Sequence, residues 1–170
     1  ELTAEAERLP LTAEDPVALD WHNGRRTPDA DPRVRGALDG LTLATSAPAI
    51  YKTLVEATVF RSRAISERML EEGVPIDNIL AIGGIARKSP FVMQTMADVI
   101  GVPIRVADSD QVCALGAAMF AAVAAGLYGS VQEAQQAMCP GFSDEYLPDM
   151  ERHAIYDRLY DRYLKLGGRR

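Results

Sequence analysis

The stretch Asn78-Ile79-Leu80-Ala81-Ile82-Gly83-Gly84-Ile85-Ala86-Arg87-Lys88-Ser89-Pro90 decides the reading of this chain. A short apolar run, the length of a buried strand, enters a glycine pair and then a helix start. Glycine has no Cβ, so at Gly83 and Gly84 the backbone can take a positive φ and lie against a flat base or a phosphate. Ser89 has the chemistry of an N-cap and Pro90 that of a first helical residue. Together they predict free N–H groups and the positive end of a helix dipole facing the same place. A Gly-Gly pair at a strand end also serves as a plain turn, and on its own it does not distinguish the two uses.

The segment that follows narrows the choice. Val102-Pro103-Ile104-Arg105-Val106-Ala107-Asp108 reads as the next strand, and Asp110 as the cap of a helix from Gln111 to Gly126. Ala114, Gly116, Ala117 and Ala118 would let another backbone come close, which suits a helix under a sheet or at a hinge; ordinary tight packing explains them equally.

In this order, the strand with Gly83-Gly84, a helix with Met93-Gln94 and Ala97-Asp98-Val99-Ile100-Gly101, a second strand and Cys113-Ala114-Leu115-Gly116-Ala117-Ala118 resemble the C-terminal domain of the FGGY carbohydrate kinases, of the actin, Hsp70 and hexokinase superfamily. Ala18-Leu19-Asp20-Trp21-His22-Asn23-Gly24-Arg25-Arg26-Thr27-Pro28 extends the likeness toward members that phosphorylate L-ribulose. The resemblance covers nearly all of residues 1–170. It implies a ribonuclease H-like α/β lobe, a mixed sheet flanked by helices, without the glycine-threonine hairpin that opens this half of the family's proteins. Residues 1–16 would then be a linker or helix end, and 149–166 a C-terminal helix.

The resemblance also implies chemistry. Gly83, Gly84 and Ile85 would form the adenosine motif, Lys88 would reach a phosphate or the ribose edge, and Ala114, Gly116 and Ala117 would pack near the interdomain hinge. ATP and Mg²⁺ are the implied cofactors, with magnesium held mainly by an N-terminal domain that also supplies the sugar pocket and the catalytic base. The implied partners are ATP or ADP and a ketopentose. The reaction would be transfer of the γ-phosphoryl group to L-ribulose, with the fragment inactive by itself and no catalytic residue within it. Another pentulose, such as xylulose, and an ATP-dependent switch or activator of the same superfamily remain open, as does homodimerisation.

Composition agrees with one α/β domain: of 170 residues, 48% are hydrophobic but only 6% aromatic. A net charge of −6 argues against a nucleic-acid partner, which a basic face would bind. No run reaches the roughly 20 apolar residues of a membrane helix, the N-terminus lacks a signal-peptide profile, and two cysteines make no disulfide framework, so a cytoplasmic setting is expected. Two histidines, His22 and His153, give no zinc spacing, so no metal site is expected from this chain alone. Asp108 and Asp110 are expected as caps, and Arg25 and Arg26 as solvated or structural loop residues, with phosphate or partner contact the other reading. Strands are expected at Val17–Trp21 and Val34–Leu43. A long helix should run from Thr45 or Ser46 to about Glu72, closed by Gly73, with Ile50, Leu54, Ala57, Ala64 and Ile65 inward and Lys52, Glu56, Arg63 and Glu67 on the wetter side. Glu56, among apolar neighbours, is also read as partly buried and paired. A short helix near Ser130–Met138 follows. In the tail, Tyr156, Leu159, Tyr160, Tyr163 and Leu164 form a stripe suited to docking on this domain.

Overall fold

The computed structural model describes residues 1–168. In chain order the elements are α1 (Leu2–Glu7), β1 (Val17–Leu19), β2 (Ala37–Asp39), α2 (Ala47–Glu71), β3 (Ile79–Ala81), α3 (Gly84–Lys88), α4 (Pro90–Ile100), β4 (Ile104–Ala107), α5 (Val112–Ala124), α6 (Val131–Met138), β5 (Phe142–Tyr146) and α7 (Met150–Gly168). β1 and β2 form an antiparallel pair, whereas β3, β4 and β5 form a mixed sheet in that order. There β3 and β4 run parallel with Ile79 opposite Ile104, and β5 returns antiparallel with Tyr146 opposite Ile104.

Local chemistry sets the helix ends. The Ser46 hydroxyl accepts from the N–H of Ala49 to open α2. At its far end Val74 N–H donates to Met69 C=O and Gly73 N–H to Leu70 C=O, with Gly73 at φ 81°. That pair of bonds is a Schellman motif, which needs a left-handed residue where Gly73 stands. Gly126 closes α5 in the same way, through Gly126 N–H to Val123 C=O and Leu127 N–H to Ala122 C=O. Ser130 caps α6 at the N–H of Glu133.

The main core lies between β1, α2, α4 and α7. Phe60 of α2 is its centre, with the rings of Tyr156, Tyr160 and Tyr163 at 6.2, 5.8 and 5.5 Å. Around them Val17, Leu19, Trp21, Val99 and Leu159 are buried. A smaller cluster of Ala86, Met93, Ala97, Ile104 and Val106 fixes α3 and α4 on the mixed sheet. α7 is anchored to α4 by polar bonds as well. Asp98, fully buried, accepts from Gln94 Nε2 at 2.8 Å, Asp149 N–H at 3.0 Å and Arg152 Nε at 2.6 Å.

Several expectations are corrected. The strand expected over Val34–Leu43 shrinks to Ala37–Asp39, because pairing with three-residue β1 leaves nothing else to bond to. Lys52 is buried, not on the wetter side of α2, and so is Glu56, in keeping with its reading as a buried, paired carboxyl. Lys52 Nζ lies 2.6 Å from Asp15 Oδ2 and donates to Pro10 C=O, while Glu56 accepts from the Tyr156 hydroxyl, so long-range partners make burial tolerable. Asp110 does not cap α5. The N–H of Gln111 donates instead to the Ser109 hydroxyl, and Gln111 occupies the cap position without a side-chain bond. In α7 it is Leu166, not Leu164, that faces the core. Strand β5 is an addition.

Candidate functional site

The candidate site lies at the carboxyl ends of the parallel pair β3 and β4, where open α/β sheets place their ligands. One wall is the Gly83-Gly84 turn and α3. The other is the loop from β4 to α5. Between them is a cleft of about 410 Å³ lined by Gly83, Gly84, Arg87, Lys88, Ser109 and Asp110.

Gly83 has φ 91° and ψ −178°, a conformation that essentially only glycine adopts, so the turn depends on it whatever binds nearby. Gly84 is different. Its φ is not positive, and a Cβ built on it meets no atom of the chain within 4 Å. Neither backbone nor packing therefore requires glycine at position 84, a residue that lines the cleft. A β-carbon there would project into space that a ligand could occupy.

α3 starts at Gly84 itself and separates the turn from α4. The expected cap is present, since Ser89 accepts from the N–H of Val92 and Pro90 is the first residue of α4. Its direction is a correction: Pro90 lines a different cavity, of about 440 Å³, together with Phe91, Gln94 and Arg152. The two cations of that second cavity are engaged internally, Lys52 with Asp15 and Arg152 with Asp98.

Among the other predicted residues, Lys88 joins Gly83 and Gly84 in the cleft, whereas Ile85 is 67% exposed and not part of its lining. Ala114 and Ala117 are exposed and Gly116 half-buried, and a Cβ on Gly116 would meet nothing within 4 Å. The expected close packing of α5 is thus not made within the described residues. α5 packs on α6, and an apolar hollow of about 390 Å³ separates it from Leu80 of β3 and Phe142 of β5. Phe120 and Leu127 are also exposed.

Two residues escaped the sequence reading. Arg87 crosses the cleft from α3, with Nη1 2.9 Å from Asp110 and Nη2 3.8 Å from Asp108. The two carboxylates expected as caps are ion-paired instead, and only their spatial meeting with Arg87 reveals it. Ser109, whose hydroxyl accepts from Gln111 N–H, completes the far wall.

The loop after β1 holds Arg25 over the Trp21 ring at 5.1 Å, while Arg26 is exposed. Asp20 Oδ1, Trp21 Nε1 and Arg61 Nη2 are buried beside it without hydrogen-bond partners, and burial raises the Asp20 pKa despite the nearby Arg61. Among the described residues no three His, Cys, Asp or Glu side chains stand together as a metal site, and no helix is long and apolar enough to cross a membrane.

A mixed sheet flanked by helices, with a glycine turn and a cleft at the ends of its parallel strands, defines an α/β lobe of the actin and hexokinase type. Residues 1–125 match the FGGY family of carbohydrate kinases, C-terminal domain, and the chain belongs to that family. It is 46% identical over 166 residues to the ribulokinase of Vibrio parahaemolyticus serotype O3:K6, covering 98% of this chain and 29% of that protein. It is 41% identical over 169 residues to the ribulokinase of Bacillus licheniformis, covering 97% of this chain and 31% of that one. The structure of a ligand-bound xylulose kinase from Lactobacillus acidophilus superposes with a TM-score of 0.87 at 26% identity, over 97% of this chain and 33% of that chain. The chain thus spans about a third of the length of the relatives it matches.

Proposed function

We propose that this chain is the nucleotide-binding C-terminal lobe of an ATP-dependent sugar kinase that transfers the γ-phosphoryl group to a ketopentose, L-ribulose giving L-ribulose 5-phosphate. The observation that carries the reading is Gly84. It is a glycine that neither φ nor packing requires, lining a cleft at the carboxyl ends of β3 and β4, in a chain 46% identical to a ribulokinase.

Phosphoryl transfer of this kind depends on positioning and on charge neutralisation around the phosphates. In this lobe Gly83 and Gly84 would let the backbone lie against adenosine or the α-phosphate, and Lys88 would supply a cation. Magnesium would neutralise the phosphates when bound. The cleft carboxylate Asp110 and its neighbour Asp108 are paired with Arg87, which supports assigning the metal mainly to an N-terminal domain. That domain would also hold the sugar and the catalytic base, so the fragment alone is inactive. Exposed Leu80, Phe120 and Phe142 support an apolar covering by the rest of the protein.

The test is a coupled ADP-release assay of the full-length protein with L-ribulose, D-xylulose, D-gluconate and glycerol as acceptors. L-Ribulose should give the highest kcat/KM. A preference for D-xylulose would retain the kinase and correct the sugar, whereas no turnover with any polyol but retained ATP binding would favour a nucleotide switch.

A further inference from the structure

On the reading of this cleft as a nucleotide site, we infer that Arg87 is a positioning residue that makes the cleft compatible with phosphate by neutralising Asp108 and Asp110 across it. A site for a polyanion that presents two carboxylates needs an explanation. Asp110 lines the cleft and its side chain is 80% exposed; Asp108 stands at its edge, 51% exposed. Among the described residues, the only other cation in the lining is Lys88. Arg87 spans from α3 to both acids, with its side chain 30% exposed. Counting Arg87, Lys88, Asp108 and Asp110, the cleft is neutral as it stands, carries one net negative charge without Arg87, and is neutral again if Asp110 then becomes an amide. Because the same bridge joins the two walls, the charge effect and a wall-holding effect must be separated by experiment.

The measurement is calorimetric titration of the full-length protein and of Arg87→Ala, Asp110→Asn and the double variant with ADP and, separately, with uncharged adenosine, after circular dichroism confirms that each folds. Arg87→Ala should weaken ADP on the order of three- to tenfold, as expected for one added charge near the phosphates at a partly solvated site. It should leave adenosine unchanged. Asp110→Asn should tighten ADP, and the double variant should return to within about twofold of wild type. The inference is overturned if the double variant stays as weak as Arg87→Ala, since Arg87 would then touch phosphate directly. It also fails if Arg87→Ala leaves ADP unchanged, or weakens adenosine equally, which would mean that the bridge only holds the walls. Wild-type protein that binds neither ligand would overturn the nucleotide reading itself, and this inference with it.

Discussion

The hydroxyl of Tyr156 on α7 donates to Glu56 Oε1 on α2 across 3.1 Å, in a core where Tyr156 is 0% and Glu56 1% exposed. Lys52 Nζ lies 3.8 Å from the same oxygen. A carboxyl is thus stationed between the two longest helices, held by one hydrogen bond and one loose ion pair. Burial outweighs the lowering effects of Lys52 and Tyr156 and raises the Glu56 pKa from 4.5 to about 7.

Stability should therefore depend on pH with a definite sign. A carboxyl whose pKa is higher folded than unfolded binds its proton more tightly in the fold, so its contribution is complete below about pH 4.5 and lost as pH rises through about 7. The span corresponds to at most about 3 kcal/mol. Glu56→Gln keeps the hydrogen-bond acceptor and removes the titration. Its melting temperature relative to wild type should rise between pH 5 and pH 8, with the variant the more stable at pH 8. A difference that does not change with pH would refute this.

Asp98 should be the costliest polar residue to lose. It accepts three hydrogen bonds, one of them from Arg152, and no water reaches it. Asp98→Ala leaves Arg152 and the N–H of Asp149 without their acceptor and should cost about 3–5 kcal/mol. Chemical denaturation measures it, and proteolysis should show α7 released first.

Gly101 closes α4 at φ 78°, and a Cβ there would lie 2.9 Å from His153 Cε1. Gly101→Ala meets both backbone strain and a clash with α7, so a loss of about 1–3 kcal/mol is expected. At Gly126, also with positive φ but with nothing within 4 Å, alanine meets the strain alone and should cost less. Equal losses at the two sites would show that the His153 contact relaxes freely.

Features fixed by near neighbours in sequence could be read in advance. Ser46, Gly73, Ser89, Gly126 and Ser130 act within one helical turn of their own positions, so their side chains or φ preferences announce the ends they make. The tyrosine stripe of α7 was legible because its spacing is helical. What failed depends on distant partners. Lys52 looks like a solvated lysine until Asp15 and Pro10 come to meet it. β5 carries Ser143-Asp144-Glu145, polar because it is an exposed edge strand, and so gives no strand signal. That the glycine pair and Lys88 share one wall follows from their closeness in sequence, but the crossing of Arg87 to Asp110 follows only from the parallel register of β3 and β4.

If nucleotide lies against the Gly84 side of the cleft, Gly84→Val should exclude it. The substitution adds a side chain where the chain itself has nothing within 4 Å of Cβ, at a residue without positive φ, so the fold should survive. Calorimetric titration of the full-length protein with ATP and Mg²⁺ should show binding in wild type and its loss in Gly84→Val, with circular dichroism unchanged. Nucleotide bound equally well by the folded variant would contradict the account and leave Gly83-Gly84 as a turn.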